Sequence, residues 1–117
     1  MLATMRRTLA LLLALIVFPA FAEEFVPGTE DLPLMPGLAP VRDSGIVFDK
    51  PQGRIVEAQA RGKVTRDAVR RFYEATLPEL GWAADGPRSW RREGERLSID
   101  LKGRDGDLRV GFTLSPR

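Results

Sequence analysis

The sequence contains no cysteine and no histidine. Without cysteine there are no disulfide bonds, so packing alone must hold the fold together. The absence of both residues also removes the usual ligand sets for zinc, copper, haem and iron–sulfur clusters. Histidine is in addition the commonest general acid or base. We therefore expect no catalytic, metal-binding or cofactor-binding residue.

Nucleophilic chemistry has one remaining route, a serine–lysine pair. The available residues are Ser44, Ser89 and Ser98 with Lys50, Lys63 and Lys102. No spacing singles out any of them, and the hydrophobic pattern places nearly all carboxylates in turns or on solvent-facing strand positions. The sequence is thus predicted not to be an enzyme.

Long apolar runs are also scarce, and the single clear one lies at the N-terminus. Arg6 and Arg7 precede the uncharged residues 9–18, and the small-x-small sequence of residues 20–22 follows. This pattern predicts a signal peptide over residues 1–22 that is cleaved after Ala22. The run is shorter than the roughly 20 residues that cross a bilayer, so no permanent membrane anchor is expected.

Little net charge is left once that segment is removed. It carries two of the 18 basic residues and none of the 16 acidic ones, which leaves 16 of each. Bulk attraction to nucleic acid or to an anionic membrane is therefore not expected. Residues 23–117 are enough for one hydrophobic core.

Prolines concentrate in residues 23–43, which we interpret as a lead-in segment before a folded domain of residues 44–117. They deny this segment a helix and a central strand. Its apolar residues nevertheless predict that it lies against the domain, with a partner-binding peptide as the alternative. These apolar residues are Leu32, Leu34, Met35 and Leu38.

The domain is predicted to be α+β, with the element order β-β-α-β-β-β. Alternating apolar residues predict strands at 46–48, 55–64, 88–92, 96–102 and 108–114. A helix is predicted from the N-cap Thr65 to about Leu80, where Gly81 caps it and Trp82 folds back on Leu77. The apolar faces require a single antiparallel sheet with this helix packed on one face and the other face open to solvent.

Basic residues supply the candidate binding surface. Several fall on the predicted open face, and others gather around the third strand, where they suit an anionic ligand. Glu93 and Glu95 lie among the latter, so a solvated hairpin tip is the alternative. Trp82 is predicted to be a capping residue, with ligand stacking as its alternative role. The candidate set is Arg61, Lys63, Arg88, Arg91, Arg92, Arg109 and Trp82.

Three motifs resemble those of small exported proteins of Gram-negative bacteria, a family without an assigned activity. They are DLPLMPGL at residues 31–38, VFDKPQGRIVEA at residues 47–58 and FYEATLPELGW at residues 72–82. The resemblance implies a periplasmic protein. It carries over no catalytic or binding residue.

Two functional classes remain. The leading hypothesis is a noncatalytic protein-interaction or adaptor domain of the bacterial envelope, which holds a partner protein through the open sheet face, a sheet edge or the lead-in segment. The alternative is a binding module for a small or anionic envelope ligand, centred on the third strand or on a pocket beside Trp82 and Trp90. The partner's identity and the oligomeric state are left open.

Overall fold

A computed structural model describes residues 24–117. The predicted signal peptide and its cleavage site lie outside the described residues. Within residues 24–117, no helix is both long and apolar enough to cross a membrane.

The described chain forms one antiparallel sheet of seven strands, covered on one face by an α-helix. Across the sheet the order is β1-β3-β7-β6-β5-β4, and β2 pairs with β3 beside β1. Helix α1 (Arg66–Thr76) follows β3. The strands are β1 (Leu38–Pro40), β2 (Ile46–Lys50), β3 (Gly53–Gly62), β4 (Ala83–Gly86), β5 (Ser89–Arg92), β6 (Glu95–Arg104) and β7 (Asp107–Pro116).

The predicted α+β class with a single antiparallel sheet is confirmed, whereas the predicted element order is wrong because it lacks β1 and β4. Strand β1 contains Pro40 and has only three residues, so it shows no alternation and forms through its pairing with residues 60–62. Strand β4 consists of Ala, Asp and Gly, which favour strands weakly. Its pairing with β5 holds it in the sheet.

Helix α1 begins as the sequence predicts. The Thr65 side chain accepts a hydrogen bond from the backbone N–H of Ala68 at 3.0 Å, which satisfies one of the free donors of the first turn. Asp67 forms ion pairs with Arg71 and Arg70. The two guanidinium groups lower the pKa of Asp67, and this carboxylate in turn raises the pKa of Arg71.

The end of the helix is tighter than predicted. The α-helix ends at Thr76, and Pro78–Leu80 forms a 3₁₀ turn, because proline disfavours continued α-helical geometry. The predicted cap is present. Gly81 has a left-handed φ of 89°, and the backbone N–H of Trp82 donates to the carbonyl of Leu77 at 3.0 Å, a Schellman arrangement.

The core lies between α1 and the sheet and includes the lead-in segment. Val26, Leu32, Leu34 and Leu38 are buried in the same cluster as the apolar faces of the helix and the strands. The described part of the lead-in segment, residues 24–43, thus shares one core with residues 44–117. The remaining members are Val56, Ala58, Ala60, Val69, Tyr73, Leu77, Trp82, Trp90, Leu97, Ile99, Leu108, Val110, Phe112 and Leu114.

Tyr73 joins the helix to the lead-in segment. Its buried hydroxyl donates to the carbonyl oxygen of Pro33 at 3.0 Å and accepts from the backbone N–H of Met35 at 3.3 Å. Burial raises the pKa of Tyr73 well above its ordinary value, although the Met35 amide opposes the shift. The neutral phenol is the form that the fold stabilises.

We expect Tyr73 to make stability fall in alkali. Below about pH 10 the phenol is neutral in both states and its stabilising effect is complete. Above that pH the unfolded state loses the proton first, so the free energy of unfolding decreases as pH rises toward the folded-state pKa. Tyr73 is the only tyrosine, so tyrosinate absorbance reports it alone and should rise only together with loss of circular dichroism.

The Tyr73→Phe variant is the control for this pH dependence. In this variant, the part of the decrease in the free energy of unfolding at alkaline pH that comes from Tyr73 should be absent. At neutral pH it should be less stable by about 1–3 kcal/mol, because the Pro33 carbonyl loses its donor. Ionisation of Tyr73 near pH 10 with an unchanged circular dichroism spectrum would contradict its buried position.

Candidate functional site

The two edges of the sheet differ in how they are protected. At the β4 edge the register shifts between Ala84 and Gly86, and Asp85 forms an ion pair with Arg96 at 3.3 Å. A short, bulged strand with a charged side chain discourages pairing with another strand. This edge is therefore blunted.

The β2 edge carries its charged residues, Asp49 and Lys50, only at the hairpin end of the strand. Three consecutive apolar residues are exposed there: Ile46 to 50 %, Val47 to 44 % and Phe48 to 46 % of their surface. Within the described residues, β2 pairs only with β3. Its outer side therefore presents unpaired backbone groups together with large apolar side chains, a combination that other strands can pair with.

The hairpin between β2 and β3 indicates which β2 amides face outward. Lys50 pairs with Gly53 across a two-residue loop, and such a loop closes on a pair of residues that exchange hydrogen bonds. Because inward-facing and outward-facing N–H groups alternate along a strand, the N–H groups of Lys50, Phe48 and Ile46 face β3. The N–H groups of Val47 and Asp49 are left pointing away from the sheet.

The open face of the sheet carries a row of three cations. Arg61 on β3 lies directly opposite Arg109 on β7, and Arg109 lies directly opposite Lys102 on β6. Among the described residues, the only ion pair of this row joins Arg61 to Asp107 at 3.6 Å, and both side chains are more than half exposed. An exposed pair of this kind stabilises little.

A polar groove of about 510 Å³ adjoins this row. Its floor is Gly111, which lies between Gln59 and Asp100 on the neighbouring strands. Lys102 and Arg109 line one end. The absence of a side chain at Gly111 is what opens the floor.

The loop between β1 and β2 forms one wall of this groove. The N–H groups of Val41 and Gly45 donate to the carbonyls of Gln59 and Glu57 at 2.8 and 2.9 Å. The hydroxyl of Ser44 also contacts the Gln59 carbonyl, at 3.1 Å. These bonds hold residues 41–45 beside β3 and place Arg42 and Asp43 in the wall.

A second crevice, of about 280 Å³, lies between α1 and strands β5 and β6. Its floor is apolar and includes Val69, Trp90 and Ile99, while Arg70 and Arg88 stand among the lining residues with the acidic Asp67, Glu74 and Asp105. Together with Arg66, three arginines and three acids line this crevice, so their formal charges balance.

The predicted surface residues fall in different places. Arg61 and Arg109 are cross-strand neighbours in the cation row, and the exposed Lys63 follows β3 directly. Arg91 lies on β5 opposite Arg96, outside the groove, and Arg88 lines the crevice beside α1. Sequence reasoning did not select Lys102 or Gly111 as site residues, because only the strand register brings them beside Arg109.

Trp82 is buried, and Arg92 is only partly exposed. Trp82 is 4 % exposed, and the Arg92 guanidinium lies 4.4 Å from the centre of its ring. Arg92 also donates to Asp31 at 2.8 Å and to the Leu80 carbonyl at 3.0 Å. This arginine therefore ties the lead-in segment to the helix cap, and the capping role predicted for Trp82 accounts for its position.

Within residues 24–117, no group of three acidic side chains is close enough to hold a metal ion. Comparison of the chain with protein-family models, with curated proteins and with solved structures found no match. The geometry of the β2 edge and of the open face is therefore the basis for assigning a function.

Proposed function

We propose that the protein is a noncatalytic binding module of the bacterial envelope that takes an extended segment of a partner protein onto the free edge of β2. The observation that carries the proposal is the run of three exposed apolar residues, Ile46, Val47 and Phe48, on a strand whose outer side is unpaired. Strand addition supplies backbone hydrogen bonds for affinity and side-chain contacts for specificity. The export pattern of residues 1–22 supports a periplasmic location.

The chemistry of the partner segment follows from the two faces of β2. Ile46 and Phe48 lie opposite Glu57 and Ile55, on the open face, whereas Val47 lies opposite Val56 on the core side. An added strand would place alternate side chains beside Ile46 and Phe48. We therefore expect the partner to be extended and to carry apolar residues at every second position.

The other interaction surfaces predicted from the sequence are less suitable. The lead-in segment contributes Val26, Leu32 and Leu34 to the core, so its release would expose part of the hydrophobic core. The open face carries charges of both signs near the groove. The β2 edge requires no unfolding, and its charged residues, Asp49 and Lys50, lie at one end of the apolar run.

Selection of peptides on the purified mature protein tests this proposal. A random-peptide display library should yield extended sequences with alternating apolar residues. The Asp49→Pro variant should bind them about tenfold more weakly or worse, because proline removes an outward N–H and its ring obstructs the added strand. Binding is measured by calorimetry with synthetic peptides.

The matched control is Asp49→Ala, which removes the same carboxylate and keeps the backbone donor. It should bind within about twofold of the wild type. Thermal unfolding should show that both variants are folded. Failure to enrich any peptide, or equal binding by Asp49→Pro and Asp49→Ala, would refute strand addition at β2.

A further inference from the structure

The cation row on the open face is unfavourable for the stability of the sheet. Like charges directly opposite each other on neighbouring strands are destabilising, and Arg109 has a cation opposite it on both sides, Arg61 and Lys102. Among the described residues, neither Arg109 nor Lys102 forms an ion pair within the sheet. The row is thus suited to an anionic group that approaches from solvent, because an anion in the groove meets Arg109 and Lys102, which both line it, and offsets their repulsion.

The groove next to the row offers a different kind of contact. Asp100 and Gln59 flank the bare floor at Gly111, and Glu57 and Thr113 lie further along the same groove. Carboxylate and amide oxygens accept hydrogen bonds from hydroxyl groups, and the amide and hydroxyl also donate. This part of the groove suits a ligand that is rich in hydroxyl groups.

We propose that the groove binds a sugar that carries one anionic group, of which a sugar phosphate is the example. The anion lies against Arg109 and Lys102, and the sugar ring lies over Gly111, where its hydroxyl groups donate to Asp100 and to Gln59. A pocket of about 510 Å³ has the size of small-molecule sites. Ile46 of β2 also lines this groove, whereas Asp49 does not, so the two proposed sites adjoin each other and a change at Asp49 leaves the groove lining intact.

The charges of the groove disfavour three other occupants, namely a phosphate ion, a polyanion and a neutral sugar. A phosphate ion alone would leave Asp100, Glu57 and Asp43 facing it across the same groove, and a polyanion would meet all three carboxylates. A neutral sugar would leave the cation row without an opposite charge. Only a ligand with an anionic end and a hydroxyl-rich body matches both halves of the groove.

Titration of the isotope-labelled protein tests the proposal by amide chemical shifts. The probes are glucose 6-phosphate, a panel of other hexose phosphates and hexuronates, glucose and inorganic phosphate. At least one charged sugar should shift the Gly111 and Arg109 amides and bind about tenfold more tightly than glucose or phosphate. If no charged sugar does so, or if phosphate binds as tightly, the proposal is wrong.

Two variants distinguish binding in the groove from general electrostatic attraction of anions to the open face. Arg109→Ala should weaken binding of the charged sugar by about tenfold or more. Arg91→Ala, which removes an open-face arginine outside the groove, should leave it unchanged. Equal losses in these two variants would overturn the proposal.

Asp100→Ala gives the sharpest distinction. At a purely electrostatic anion site, removing this carboxylate tightens binding of every anion. At the proposed site it tightens binding of inorganic phosphate but weakens the charged sugar several-fold, because a hydroxyl acceptor is lost. Tighter binding of both probes would contradict the sugar contact. The Asp49→Pro variant should bind the charged sugar normally, so this test and the test of β2 can fail separately.

Discussion

Replacing Phe112 with alanine should lower the free energy of unfolding by about 3–5 kcal/mol. Phe112 is 3 % exposed and lies on the central strand β7, opposite Ala58 on β3 and Ile99 on β6. Its ring meets the Tyr73 ring edge-on, with the centroids 5.6 Å apart. Truncation removes this contact and leaves a cavity between the sheet and the helix. Urea unfolding followed by tryptophan fluorescence measures the change.

Phe48→Ala is the control for this substitution. It removes the same group from the edge strand β2, where Phe48 is 46 % exposed, so its cost should stay below about 1 kcal/mol. The comparison separates burial from residue type. Equal costs at the two positions would contradict the placement of Phe112 in the core.

Much of the fold could be predicted because its signals are local. Alternation in β6 and β7 identifies the faces that carry Leu97 and Phe112. Thr65 and Gly81 identify the ends of the helical segment, since each terminus requires a specific capping geometry. These features depend on residues a few positions apart in the chain.

The two strands that were not predicted, β1 and β4, have no hydrophobic alternation of their own and form through pairing with a neighbouring strand. Strand β1 forms because Leu38, Ala39 and Pro40 meet the far end of β3, about 22 positions along the chain. Strand β4 pairs with the nearby β5, but its Ala, Asp and Gly residues favour strands only weakly. Neither segment has enough residues or enough strand preference to reveal itself by periodicity.

The candidate site was only partly predictable for the same reason. The basic character of Arg61 and Arg109 is visible in the sequence, but their alignment with Lys102 depends on the registers of β3, β6 and β7. The groove depends on a missing side chain at Gly111 and on the position of residues 41–45. A sequence pattern also cannot distinguish the exposed arginines from Arg92, whose side chain is only 19 % exposed and lies over the Trp82 ring.

The second prediction concerns Gly62 on β3. The neighbouring strand β1 lies too close to Gly62 for any side chain to fit there. A Cβ atom added at Gly62 would lie 2.1 Å from the carbonyl oxygen of Gly37. Relief requires a shift of the β1 backbone, which would disturb the pairing of Leu38 with Gly62 and the burial of the lead-in segment. We expect Gly62→Ala to lower the free energy of unfolding by about 3 kcal/mol. Urea unfolding measures the loss, and hydrogen exchange should show that the β1 amides lose protection first.

Gly111→Ala is the matched control, because it places the same methyl group on the neighbouring strand β7. The nearest atom to a Cβ at Gly111 is the Asp100 Cβ at 3.7 Å, an ordinary contact. Its stability should change by less than about 1 kcal/mol, since alanine in a strand loses less backbone entropy on folding than glycine.

If Gly62→Ala were as stable as Gly111→Ala, β1 would not pack against β3. The lead-in segment would then be free to act as a binding peptide, and the case for the β2 edge as the main interaction surface would weaken.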